Sequence, residues 1–141
     1  MNKQINQNQK EIINRFSEFQ DWFETYEYLI KIGKTFEGMN ESLKTEKNTL
    51  SGCQSNVWIL AEQKNNNMYY QADSDSLLIR GMIALLFQVV NQQSAEDIAE
   101  SDLYFIKEIG LDTHLSPSRG NGLNALVKQI KSTAKNAISD P

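Results

Sequence analysis

The 141-residue chain is 40% hydrophobic and 23% charged, a mixture that supports one globular domain over 1–141, burying roughly 68% of its unfolded surface without metals or crosslinks. Its formal charge of -4 argues against a nucleic-acid binder, which needs a clustered basic surface. The single cysteine excludes an intramolecular disulfide and a four-thiolate zinc or iron–sulfur site made by one chain.

The first ten residues are polar and rich in Asn and Gln. They lack the basic-then-apolar order of a secretory signal, so a cytoplasmic protein is expected. Ile12, Phe16 and Phe19 follow helical spacing, and after a break near Asp21 a second stripe runs Trp22, Tyr26, Leu29 and Ile30. Asp21 with Glu24 reads as a capping pair, and Gly33 as the stop of the second helix. From Lys34 to Asn48 the periodicity dissolves, leaving Phe36, Met39 and Leu43 as apolar pins of a long loop.

Val57-Trp58-Ile59-Leu60 and Met68-Tyr69-Tyr70 are rich in β-formers and flank Asn65-Asn66-Asn67, residues that tolerate the positive φ of a tight turn. This predicts an antiparallel hairpin, to which Thr49-Leu50 would add a short third strand. The apolar run 77–90 contains Arg80 and Gln88 and falls short of the ~20 residues that span a bilayer. It predicts a central buried helix over 76–91 and no membrane partner, with Asp73-Ser74-Asp75 as its cap and dipole partner.

Ser94 and Ser101 read as N-caps of two short helices, with Gly110 closing the second. A loop over 114–122 precedes a last helix, which carries Leu123, Leu126, Val127, Ile130 and Ala134 on one side and Lys128, Lys131 and Lys135 on the other. The expected class is α+β: a small antiparallel sheet packed against several helices.

The sharpest chemical feature is Ser51-Gly52-Cys53-Gln54-Ser55. A lone thiol beside a glycine, in a loop just before the hairpin, is placed where functional groups are displayed. A solitary cysteine is also compatible with a small buried hydrophobe, and spacing alone leaves both readings open. As a nucleophile it must ionise, and a free thiol with pKa ~8.5 is only slightly ionised near neutrality. His114 and Arg119, in the turn-rich stretch His114-Leu115-Ser116-Pro117-Ser118-Arg119-Gly120-Asn121-Gly122, are the cations that could stabilise a thiolate if the fold brings them close.

Taken together, Gly52-Cys53-Gln54-Ser55-Asn56-Val57-Trp58 and His114-Leu115-Ser116-Pro117-Ser118-Arg119-Gly120-Asn121-Gly122-Leu123 resemble the two signatures of the SufE family, G-C-Q-S-x-V-W and H-L-[ST]-P-S-R-x-x-G-L. The Asp73-Ser74-Asp75 run, followed by an apolar helix with Gly81, fits as well. The resemblance implies an α+β fold shared with IscU-type scaffold proteins. It implies that Cys53 accepts persulfide sulfur from a SufS- or CsdA-type cysteine desulfurase and passes it to a SufBCD-like iron–sulfur scaffold complex. Pyridoxal phosphate would belong to the desulfurase, and this chain would hold no cofactor or metal of its own. Gly52, Gln54, Asp75, His114 and Arg119 would form the thiol environment or the partner contact, and a homodimer is left open. On this reading the chain is a persulfide carrier rather than an enzyme in its own right. A Cys-His thiol enzyme and a non-covalent adaptor of the assembly machinery are the alternatives.

Overall fold

The computed structural model describes residues 3–139. Its elements, in chain order, are α1 (Lys3–Phe16), α2 (Trp22–Thr35), β1 (Val57–Lys64), β2 (Asn67–Ser74), α3 (Leu77–Val90), α4 (Ala95–Glu100), α5 (Phe105–Glu108), α6 (Leu111–His114) and α7 (Pro117–Ser139). Two single 3-10 turns lie at 41–43 and 46–48.

The predicted α+β class holds, with α3 at its centre. Helix α3 buries residues on all sides, including Leu78, Met82, Ile83, Leu85, Leu86, Val89 and Val90. That is the arrangement expected of a helix apolar all round. It contacts α1, α2, α7 and β2. Ser76 caps it by accepting a hydrogen bond from the Ile79 N–H at 3.3 Å, so the cap is Ser76 and not the Asp73-Ser74-Asp75 run.

Helix α1 buries Ile5, Gln9, Ile12 and Phe16, one stripe at helical spacing. Phe19 belongs to this apolar stripe only by packing: the helix ends at Phe16, and Phe19 meets its ring edge-on at 5.2 Å from the following turn. Asp21 caps α2 through the Glu24 N–H at 3.0 Å, while the Glu24 carboxylate accepts from the Gln20 N–H. Gly33 does not stop α2, which runs two residues further to Thr35. Instead, Gly33 lies against the Leu77 carbonyl of α3, and Gly81 of α3 lies against the Leu29 carbonyl of α2. Without Cβ atoms at these two positions the helices touch backbone to backbone.

The sheet is a two-stranded antiparallel hairpin in register from Val57↔Ser74 to Lys64↔Asn67. Asn65 and Asn66 take positive φ of 52° and 72°, as a two-residue turn matched to strand twist requires. Thr49-Leu50 makes no third strand: one bridge, Thr49↔Trp58, and the Leu50 N–H to the Val57 carbonyl at 2.8 Å are all it contributes. The chain turns away at Ser51-Gly52 before a ladder can grow.

Ser94 caps α4 as expected, but Ser101 ends that helix rather than starting the next, donating its hydroxyl to the Ile98 carbonyl at 2.7 Å. Gly110, at φ 84°, separates α5 from α6. Most of the loop predicted over 114–122 is helical, because α6 ends at His114, Pro117 starts α7 and the Gly120 N–H bonds the Ser116 carbonyl at 2.8 Å. Proline at a first helical position lacks only an N–H that would be unpaired there anyway. Leu123, Leu126, Ile130 and Ala134 of α7 are buried, and Ile130 also accepts the Tyr70 hydroxyl at 2.8 Å. Among the described residues no helix is long and apolar enough to cross a membrane.

One buried carboxylate ties the segment after α2 to this frame. Asp73 is ion-paired with Arg80 of α3 and with Lys44 at 3.2 Å, and accepts the Met39 N–H at 3.1 Å. Arg80 also donates to the Gly33 carbonyl at 2.8 Å and to the Phe36 carbonyl. Burial pushes the Asp73 carboxyl up, but the N–H groups of Ser74 and Met39, together with Lys44 and Arg80, outweigh it and hold it below the usual carboxylate value.

The α2–α3 contact makes a paired prediction. Gly81→Ala drives a methyl into the Leu29 carbonyl and is expected to cost roughly 1–3 kcal/mol, the range for overpacked sites. Gly120→Ala meets no atom within 4 Å and is expected to stabilise by up to ~1 kcal/mol through helix propensity. Urea unfolding midpoints at constant m-value decide both.

Candidate functional site

The site grows from the short loop between Leu50 and Val57. Its start is held by the Leu50–Val57 backbone bond and its end by Asp75. The Asp75 carboxylate accepts the Asn56 N–H at 3.2 Å and the Asn56 side-chain amide at 2.9 Å, and the Asp75 N–H returns to the Asn56 carbonyl at 3.3 Å. Between these anchors Gly52 takes φ +91°, in the left-handed region that favours glycine. The turn directs the next side chain, Cys53, inward.

Cys53 is a half-buried free thiol. It lines a cleft of about 280 Å3 with Gln54 and Ser55 from its own loop, Ile79 from α3, and Ser116, Ser118, Arg119 and Gly122 from the α6–α7 junction and the first turns of α7. A Cβ placed on Gly122 would lie 3.7 Å from the Cys53 sulfur and 3.7 Å from Ile79 Cδ1, so α7 passes close beside the thiol. Burial pushes the Cys53 thiol above its ordinary pKa, because the charged thiolate is the form that loses solvation. The thiol therefore rests protonated at neutral pH.

Among the described residues lining the cleft, Arg119 is the only charged one and none is a carboxylate. Among the described residues its guanidinium has no ion pair or hydrogen bond. The two signature segments, 61 residues apart in the chain (114 − 53), thus converge on one cleft, and Gly52, Gln54 and Arg119 belong to it or shape it. Asp75 acts one step removed, holding the loop at Asn56.

His114 does not join them. Its imidazole stacks on the Trp22 indole at 4.8 Å between centroids and 19° between planes, lining a separate cavity of about 440 Å3 with Phe16 and Phe19. Helix α6 ends at His114 and α7 starts at Pro117, and across this junction the chain lines one cavity at His114 and the other at Ser116. The expectation that His114 could serve the thiol is corrected by this placement. Sequence reasoning missed Ile79, Ser116, Ser118 and Gly122 as cleft residues. The turn-former density of 114–122 signalled the last three, whereas Ile79 is indistinguishable by pattern from other buried positions of α3.

The clamp sets the accessibility of the thiol. Asp75→Ala is expected to raise the alkylation rate of native Cys53 by roughly 2- to 10-fold, as loss of one or two exposed hydrogen bonds of 0.5–1.5 kcal/mol would. His114→Gln should leave the rate unchanged, and the pH midpoint of alkylation should lie above that of a free thiol. Stopped-flow alkylation across pH gives all three results.

Comparison with known proteins agrees with the geometry. The solution structure of a hypothetical protein from Thermus thermophilus superposes with a TM-score of 0.75 at 16% identity, covering 94% of this chain and 97% of that one. At that identity the match speaks for the fold alone. The family described as "SufE: Fe-S metabolism associated domain" matches residues 10–134, a span that includes both signature segments and every residue lining the Cys53 cleft. The chain therefore belongs to the SufE family, and its role lies in iron–sulfur metabolism.

Proposed function

We propose that this chain is the sulfur acceptor and activator of a SufS- or CsdA-type cysteine desulfurase, carrying sulfur on Cys53 to an iron–sulfur scaffold complex. The observation that carries the reading is the placement of the only cysteine of the chain at a cleft that Arg119 also lines and, among the described residues, no carboxylate does. In the transfer, the Cys53 thiolate attacks the outer sulfur of the persulfide on the partner's cysteine. The partner's S–S bond breaks, its electron pair leaves on the partner's sulfur, and a new S–S bond forms on Cys53. No net redox change occurs, as in thiol–disulfide exchange. Pyridoxal phosphate stays with the desulfurase, and this chain needs no cofactor for its half of the exchange.

Among the described residues none that lines the cleft is a base for Cys53. With His114 stacked on Trp22, a Cys-His hydrolytic mechanism finds no support in the geometry. Ionisation of the half-buried thiol would instead accompany docking, when the loop between Leu50 and Asn56 swings out and Cys53 meets the partner's persulfide. That order protects the sulfur from small reductants before and after transfer.

Intact mass after mixing with desulfurase and cysteine tests the proposal. One added sulfur, lost on reduction and absent in Cys53→Ser, is expected, together with a rise in desulfurase turnover that Cys53→Ser abolishes. Stimulation that survives Cys53→Ser without any mass gain would show a non-covalent adaptor instead.

A further inference from the structure

The cavity of about 440 Å3 that takes His114 has no part in the sulfur chemistry proposed above. Its volume lies within the range of small-ligand sites, roughly 300–1,000 Å3. Aromatic side chains from four stretches of chain line it: Phe16 at the end of α1, Phe19 in the following turn, Trp22 at the start of α2 and His114 at the end of α6. Phe19 meets Phe16 edge-on at 5.2 Å, and His114 stacks on Trp22 at 4.8 Å. The imidazole is also confined by Gly110, where a Cβ would approach His114 Cδ2 to 3.0 Å. Packing within the protein therefore fixes these walls.

Two polar features point to the occupant. Asp21 and Glu108 both line the cavity, and among the described residues no lysine or arginine does. The Asp21 carboxylate accepts one backbone N–H, from Glu24, while the Glu108 carboxylate has no ion pair or hydrogen bond among the described residues. Thr25 is the second feature. It is only 6% exposed, and its hydroxyl makes no hydrogen bond among the described residues. Every fully enclosed side-chain polar atom described has a partner, so the Thr25 hydroxyl opens onto free space, and the space its side chain lines is this cavity. A hydroxyl held that deep without a partner costs free energy that a hydrogen-bonding ligand recovers.

We propose that this cavity binds an organic cation of the alkylguanidinium class, with its planar head against the aromatic walls and its N–H groups donated to Asp21, Glu108 and the Thr25 hydroxyl. Aromatic rings attract cations to their faces, and a guanidinium both stacks on them and offers a fork of donors that matches carboxylates. The two carboxylates set the sign of the ligand, since an anion would meet both. The start of α2 does not reverse that sign, because Asp21 already answers the Glu24 N–H of its first turn. Such a head arrives free in solution or at the end of a partner's arginine side chain, and the chemistry that recognises it is the same.

The probe is n-butylguanidinium, and the readout is the Trp22 indole N–H signal in a nitrogen–proton correlation spectrum, assigned with Trp22→Phe. Saturable shifts at millimolar concentration are expected for so small a ligand. The neutral analogue n-butylurea should bind at least about tenfold more weakly, having lost the charge-assisted contacts. Glu108→Gln and Asp21→Asn should each weaken the probe by about two- to fivefold, and Thr25→Val by roughly two- to tenfold. Asparagine keeps the α2 cap and Glu108 is exposed, so the carboxylate variants fold. The peptide acetyl-Gly-Arg-Gly-amide separates the two sources: binding as tight as the probe's assigns the cavity to a chain-borne arginine, and binding of the probe without the peptide assigns it to a free small molecule. No shift of the Trp22 signal at about 50 mM probe, equal affinity for butylurea, or affinity unchanged in both carboxylate variants would overturn the site. Neither Cys53 nor a desulfurase enters the experiment, so its failure leaves sulfur transfer standing, and failure of that transfer leaves these shifts untouched.

Discussion

The buried carboxylate of Asp73, at the end of β2, gathers the ends of four chain segments into one electrostatic knot. Arg80 reaches it from α3 and simultaneously bonds the Gly33 and Phe36 carbonyls at the end of α2, while Lys44 and the Met39 N–H bring in the long connection that follows. A carboxylate this deep is costly unless its lone pairs are used and its charge is answered. Here both conditions are met, by two cations and by two backbone donors, from Met39 and Ser74. Gly38, at φ +72°, completes the arrangement, because a side chain there would collide with the Asp73 carboxylate. The polar segment 36–48 is ordered through these contacts despite its lack of apolar periodicity.

Order in that segment matters because it leads directly into the reactive loop. Lys44 also covers the Trp58 ring, 5.2 Å from its centroid, and Thr49 and Leu50 are laid against β1. The loop therefore departs from a fixed point and, six residues later, returns to another, the Asp75–Asn56 clamp. Its two ends are rigid and its middle is short and contains a glycine. The clamp is exposed and made of a few hydrogen bonds, so it belongs to the low-stability end of the molecule, where moving parts are found.

The electrostatic character of the cleft suits a carrier better than a hydrolytic centre. A hydrolytic cysteine needs a base within hydrogen-bond reach and an oriented partner behind it. Among the described residues Cys53 has neither, and burial pushes its thiol above the ordinary pKa. A carrier, as proposed above, needs only a thiol that stays quiet until a partner docks.

The sequence by itself determined the α+β class, the hairpin and its asparagine turn, the central apolar helix, the caps at Asp21 and Ser94, and the two segments that meet at the site. Each is a local signal: periodicity, turn chemistry or a side chain within four residues of the backbone group it satisfies. Tertiary structure decided what depends on contacts between distant residues. Gly33 looks like a helix stop, but the crossing with α3 makes it a packing position. Asp73 looks like a cap because its distant partners, Arg80 aside, lie in a segment without pattern. His114 and Arg119 stand five residues apart, and sequence could not show that the junction between α6 and α7 puts one against Trp22 and the other in the lining of the Cys53 cleft. Which residues line the thiol cleft is fixed by how α7 packs on α3, and no spacing along the chain encodes that packing.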